Sequence, residues 1–147
     1  MFTSFMPLAL AEARAAATRG EVPVGAVIVR DGRVLAQAGN RVREHIDPTA
    51  HAEMLAIRAA CATLGAERLI QCDIWVTLEP CATCAGAIAA ARIARLYYGA
   101  DDPKSGGVAH GARVFDHPQT HWTPEVYSGI EEKGCADLLR EFFATQR

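Results

Sequence analysis

The sequence predicts an α/β fold built on a mixed sheet, and three observations carry that prediction. Two β-rich runs, Val22 to Val29 and Arg33 to Ala38, flank Arg30-Asp31-Gly32, and Asp-Gly supplies the positive φ angles of a tight antiparallel turn. A strand, Ile74 to Leu78, leads through a helix to a second strand, Arg95 to Gly99, and the crossover rule makes that pair parallel. Apolar residues at three and four spacing mark helices at both ends of the chain. The 147 residues fit one domain, since domains usually run to about 100–200 residues. With 50% hydrophobic and 22% charged residues the chain builds a core and is not disordered.

Taken in order, Leu8 to Ala17 reads as the first helix, stopped by Gly20, and the hairpin follows it. Asp47-Pro48 reads as an N-cap with proline at the first helical position, opening a helix that runs to Gly65 with His51 and Glu53 in its first turn. Glu79-Pro80 opens a further helix in the same way, with Cys81 and Cys84 in the first turn and Ile88 and Ala91 beyond. Residues 101 to 124, broken by glycine and proline, read as a long functional loop with at most short helical pieces. Val126 to Ile130 suggests a last short strand, and Glu131 to Thr145 an amphipathic helix.

Composition excludes several classes. Fifteen Lys plus Arg against 17 Asp plus Glu give a net charge of −2, so a strongly basic module that grips nucleic acid by bulk electrostatics is excluded and any such contact is local. The longest apolar runs are a few residues, such as Val24 to Val29, whereas crossing a bilayer takes about 20. No membrane association is expected, and a start lacking the basic and apolar parts of a secretory signal points to the cytoplasm. Five cysteines, an odd count in a chain of this size, argue against a disulfide framework and leave metal or free thiols.

The chemistry concentrates at the two expected helix starts. Cys81 and Cys84, three residues apart, share a helical face, and the positive helix end favours the thiolates that bind zinc. His51 makes a third donor, and three protein ligands leave one tetrahedral position for water, the catalytic arrangement. Cys61, about 15 Å from His51 along the same helix, and Cys72, about 20 Å from Cys81 across the strand, do not close the site. On a regular helix Glu53 would point about 200° away from His51. At a helix end the side chains curl over the terminus, so Glu53 can still stand beside a metal-activated water as general acid and base. A redox pair is the competing reading of Cys81 and Cys84, but thioredoxin context is missing.

His51-Ala52-Glu53 with Pro80-Cys81-Ala82-Thr83-Cys84 resembles the H-x-E and P-C-x-x-C signature of the zinc-dependent cytidine/deoxycytidylate deaminase superfamily. Longer blocks, Gly20 to Val27, Gly39-Asn40-Arg41, Asp47 to Glu53, Val76 to Cys81, Cys84 to Ile88 and Ala91-Arg92-Ile93, resemble its bacterial tRNA adenosine deaminases. The resemblance runs from about Leu8 to Gly106 and resumes over the last helix. It implies a three-layer α/β/α cytidine-deaminase-like fold with a central mixed sheet of about five strands, in a single deaminase domain over residues 1–147. It implies one Zn2+ per subunit on His51, Cys81 and Cys84, Glu53 as proton shuttle, and substrate contacts from Asn40, Ala52, Asp101, Lys104 and Phe143.

The activity so implied is hydrolytic conversion of adenosine to inosine at the wobble position of a tRNA anticodon, that of an arginine tRNA in the family's usual case. The implied partner is the anticodon loop, and the implied assembly is a homodimer. A free-base or nucleotide deaminase of guanine or cytosine type is the alternative; a non-catalytic zinc RNA-binding subunit is the bland one, against which Glu53 argues. The chain departs from the family at Thr83, where many members have Met, over Gly107 to Thr123, and in ending at Arg147 without a basic tail. Arg41, Arg43, Arg92 and Arg95 read equally as a phosphate-binding set or as solvated charge, and Phe142 and Phe143, being adjacent, cannot both face the core.

Overall fold

Small residues decide how the first layer sits. Helix α1 (Met6–Thr18) buries Met6, Ala9, Leu10, Ala13 and Ala16. That face lies on strands β1 (Gly25–Arg30) and β2 (Arg33–Gly39) where each presents a glycine. A Cβ added to Gly25 would overlap the Ala9 carbonyl oxygen and stand 2.7 Å from Ala13 N; one added to Gly39 would stand 2.7 Å from Glu12 O. Helix backbone therefore rests directly on strand backbone. The computed structural model describes residues 2–146.

The hairpin forms as the sequence predicts, with Asp31 and Gly32 both at positive φ, 50° and 76°. A short helix α2 (Val42–His45), which the sequence did not announce, follows β2. Helix α3 (Ala52–Leu64) ends on Gly65 at φ 72°. Strand β3 (Cys72–Leu78), helix α4 (Ala82–Ala90) and strand β4 (Arg95–Ala100) form the expected crossover unit. A 3₁₀ turn (Val114–Asp116), strand β5 (Glu125–Tyr127) and helix α5 (Glu132–Thr145) complete the chain. The last strand thus begins and ends earlier than the sequence suggested.

The sheet runs β2-β1-β3-β4-β5. β1 is antiparallel to β2 and β3, while β3, β4 and β5 are parallel. Alternation along the strands sorts the two faces. Ile28, Ile74, Val76, Leu96 and Tyr98 pack with Ala56, Ile57 and Ala60 of α3 and Ile88 of α4. Val27, Val29, Trp75 and Tyr97 pack on the other side with Met6, Ala9 and Leu10 of α1 and Cys135 of α5. The result is the three-layer α/β/α architecture with a five-stranded mixed sheet. Among the described residues no helix is long and apolar enough to cross a membrane.

Both functional helices start later than the sequence indicated. Asp47 does not cap α3: its Oδ1 accepts the Thr49 N–H and hydroxyl, each at 2.8 Å, closing a local turn instead. His51 becomes the N-cap residue, extended at φ −75°, ψ 153°. Cys81 takes the same position on α4, at φ −71°, ψ 174°.

Candidate active site

The shift of those helix starts builds the site. An N-cap residue has extended backbone, so its side chain leaves the helix end-on rather than radially. The expected conflict between His51 and Glu53 therefore does not arise, because only Glu53 lies within the helical turn. α3 and α4 pack side by side on one face of the sheet and bring their starts together.

His51 Nδ1 lies 3.4 Å from Cys84 Sγ and 3.6 Å from Cys81 Sγ. All three donor atoms fall within 4.8 Å of one another. Tetrahedral zinc with ordinary Zn–N and Zn–S bonds separates such atoms by about 3.5 Å. The donor chemistry agrees. Cys84's thiol, then His51, stabilise a thiolate on Cys81 and pull its pKa down to about 3. Contact with Cys81 raises that of His51. Hydrogen bonding to Cys81, then burial, drives the Cys84 thiol strongly upward, so Cys84 keeps its proton until a metal displaces it. These residues fit a zinc ion.

Glu53 is 4% exposed, and burial raises its carboxyl to about 7. A carboxyl at that value exchanges protons readily at neutral pH. Asn40, also buried, spends its Oδ1 on the Ala52 N–H at 2.7 Å. Its Nδ2 makes no hydrogen bond among the described residues, and Asn40 lines the cavity that opens from His51, Glu53 and Cys81. The Nδ2 hydrogens of Asn40 are thus left uncommitted beside the cavity, while its acceptor is held by the Ala52 backbone.

The cavity holds about 530 Å³, enough for a nucleobase and part of its sugar. Val22, Val24, Val42 and Leu78 give it apolar walls, and Phe142 and Phe143 of α5, with Gln146 just beyond its end, close one side. Phe143 is 51% exposed and stands edge-on to Phe142 at 5.5 Å. Asp101 and Lys104 do not line the cavity; Asp102 and Ser105 do. Asp101 instead accepts the Tyr98 hydroxyl at 3.0 Å and borders a shallow hollow under α5. Nor are the four arginines one set. Arg41 pairs with Glu44, Arg95 with Asp73 and Glu125, Arg92 borders a separate hollow, and Arg43 alone of them reaches the cavity.

Two buried carboxylates escaped the sequence reading. Glu21, 3% exposed, accepts the Arg43 and Glu44 N–H groups at 3.1 and 2.9 Å. Burial alone would raise its pKa, but those two donors and the arginines at positions 19 and 43 outweigh it and lower the value. Glu79, 2% exposed, accepts N–H groups from residues 102 to 110. The only advance signal was a carboxylate one or two residues before a proline, next to apolar residues, in Glu21-Val22-Pro23 and Leu78-Glu79-Pro80.

Fold and site together define a class. Residues 2–100 match the cytidine and deoxycytidylate deaminase zinc-binding region, and the chain belongs to that family. More particular likenesses follow. The chain is 59% identical over 145 residues to a tRNA-specific adenosine deaminase of Agrobacterium fabrum, covering 99% of this chain and 95% of that one. A solved structure from work on A-to-I editing by tRNA:A34 deaminases at the wobble position of transfer RNA matches with TM-score 0.91 and 59% identity, covering 92% of this chain and 98% of that one. A guanine deaminase from Bacillus subtilis matches less closely, with TM-score 0.66 and 34% identity over 97% of this chain and 91% of that one.

Proposed function

We infer that this chain is a zinc-dependent hydrolase that converts adenosine to inosine at the wobble position of a tRNA anticodon, with an arginine tRNA as the first substrate to try. The observation that carries it is the joining of a His51, Cys81, Cys84 donor set to a buried Glu53 at the floor of a nucleobase-sized cavity. The 59% identity and TM-score of 0.91 to the tRNA deaminases, against 34% and 0.66 to a guanine deaminase, favour RNA over a free base.

Zinc, held by His51, Cys81 and Cys84, would acidify a water and so supply a nucleophile at neutral pH. Everything else falls to the chain. Asn40 donates from Nδ2 to the purine edge and fixes the orientation of the ring. Glu53, buried beside the metal donors, accepts a proton from the attacking water and delivers it to the ring nitrogen, then moves a second proton, from the new hydroxyl group, to the departing amine, which leaves as ammonia. The apolar walls exclude bulk water, and Phe143 at the rim offers a face for a neighbouring base to stack on.

The reading extends to a single domain over residues 1–147, one zinc per subunit, a homodimer, and an anticodon loop as partner. Five free cysteines suit a reducing compartment and support the cytoplasm. The test is direct: zinc-loaded protein is incubated with the arginine tRNA, the product sequenced for inosine, and free guanine and cytosine derivatives assayed in parallel. Inosine at the wobble position, lost on chelation, is expected. Turnover of a free base with none of the tRNA would replace this reading with the alternative.

A further inference from the structure

We propose that Glu79 is a positioning residue that holds the 102–110 segment in place as the substrate-facing wall of the cavity, so that RNA binding, and not the chemical step, depends on it. The inference rests on the deaminase reading above and goes beyond it: Glu79 borders the cavity, but it is not one of the His51, Cys81 and Cys84 donors, and its carboxylate hydrogen bonds all go to residues 102 to 110.

A carboxylate with its side chain wholly out of solvent needs compensation for its lost hydration. Here five donors provide it. Oε1 accepts the Asp102 N–H at 3.0 Å and pairs with His110 Nδ1 at 2.7 Å. Oε2 accepts the N–H groups of Val108, Ala109 and His110 at 3.1, 3.0 and 3.1 Å. Three successive peptide N–H groups aimed at one oxygen form a concave nest, an arrangement usually filled by an external anion and here filled by the chain's own side chain.

The segment has little else to hold it. No helix or strand lies between Ala100 and Val114. Its other anchors include the Gly107 N–H on Pro80 O at 2.8 Å and the Val114 N–H on Gly107 O at 2.8 Å. Two glycines permit the approach: a Cβ on Gly106 would overlap the Glu79 carboxylate, and one on Gly107 would lie 2.5 Å from Ala82 N. The segment is thus moulded against the start of α4, and its Asp102 and Ser105 face the cavity.

A cation site is the rival explanation, because donor atoms of Glu79, Asp101 and His110 lie within 4.8 Å of one another. The hydrogen bonds argue against it. Both Glu79 oxygens already face donor hydrogens, four of them peptide N–H groups that cannot turn away, and a cation there would meet them at close range.

Glu79→Gln tests the clamp. Whichever way the amide sits, its NH₂ replaces an oxygen and meets at least one peptide N–H head-on. KM for the tRNA should rise about tenfold or more, with kcat within about threefold of wild type and zinc content unchanged. Amide hydrogen exchange at positions 102 and 108–110 should quicken by a similar factor. His110→Ala, which removes one donor of the five, should move KM and exchange the same way by less, and serves if the first variant does not fold. Loss of kcat with KM unchanged, loss of zinc, or unaltered exchange at those amides would overturn the inference. Wild-type protein that forms no inosine would instead sink the functional reading, while exchange would still report whether the clamp exists.

Discussion

Replacing Glu53 by glutamine should move activity and stability in opposite directions. Glu53 is 4% exposed, and its carboxyl titrates at about 7 where an ordinary one titrates at 4.5. The folded chain therefore holds that proton more tightly than the unfolded chain. Stability of the metal-free protein must fall as the pH rises from 4.5 to about 7, and stay level above. The full cost of the buried charge is about 3 kcal/mol. Glutamine keeps the shape and never ionises, although its own buried amide takes back part of the gain. At pH 8 metal-free Glu53→Gln should be more stable than wild type by about 1–3 kcal/mol, a Tm higher by about 3–10 °C. At pH 5 the difference should shrink to below about 1 kcal/mol. Denaturant unfolding after chelation, followed at both pH values, measures it. In the zinc-loaded variant kcat should drop by about 10²–10⁴-fold with metal content retained. A variant no more stable at pH 8, or equally favoured at pH 5, would refute the assignment of a buried, high-pKa carboxyl; near-normal turnover would refute its role.

Two further substitutions separate packing from recognition. Gly25→Ala would push its Cβ into Ala9 O and Ala13 N, backbone atoms with no rotamer to escape to, so α1 must lift from the sheet. A loss of about 3 kcal/mol or more is expected, read as a Tm lower by roughly 6–12 °C; a change under about 1 kcal/mol would show that α1 does not rest where described. Asn40→Asp keeps the acceptor used by the Ala52 N–H but removes the Nδ2 donors. Zinc content should hold, with a loss of Tm at neutral pH from the newly buried carboxylate, while KM for tRNA rises about 10–100-fold, and an unchanged KM would take Asn40 out of base recognition.

The hairpin, the crossover and the amphipathic end helices were legible because Asp31-Gly32, the period-two runs and the three-four spacing are local signals. The starts of α3 and α4 were not. Asp47-Pro48 and Glu79-Pro80 both carry the expected marks of a helix N-terminus, yet each carboxylate bonds elsewhere: Asp47 to Thr49, Glu79 to the 102–110 segment. The cap positions then pass to His51 and Cys81. Helix α2 has four residues and no apolar period; the Glu21 carboxylate, 22 positions before Arg43, receives its first N–H groups. The metal donors could be read because three residue types carry the chemistry by themselves. Which of Asp101 and Asp102 faces the cavity could not, since adjacent residues of one type differ only in where the chain turns.

The placement of His51 and Cys81 ahead of their helices also makes the chelate a property of the whole fold. The donors are 30 and 33 residues apart in sequence and meet only when α3 and α4 lie side by side on a sheet whose central strand, β3, comes between them in the chain. In a zinc finger the donors are close in sequence, and the metal drives folding. Here neither helix alone can form the chelate, and the cysteine pair by itself is an incomplete one. The complete three-donor chelate therefore exists only where the sheet has brought the two helix starts together, so the metal donors report on the tertiary fold rather than on either helix.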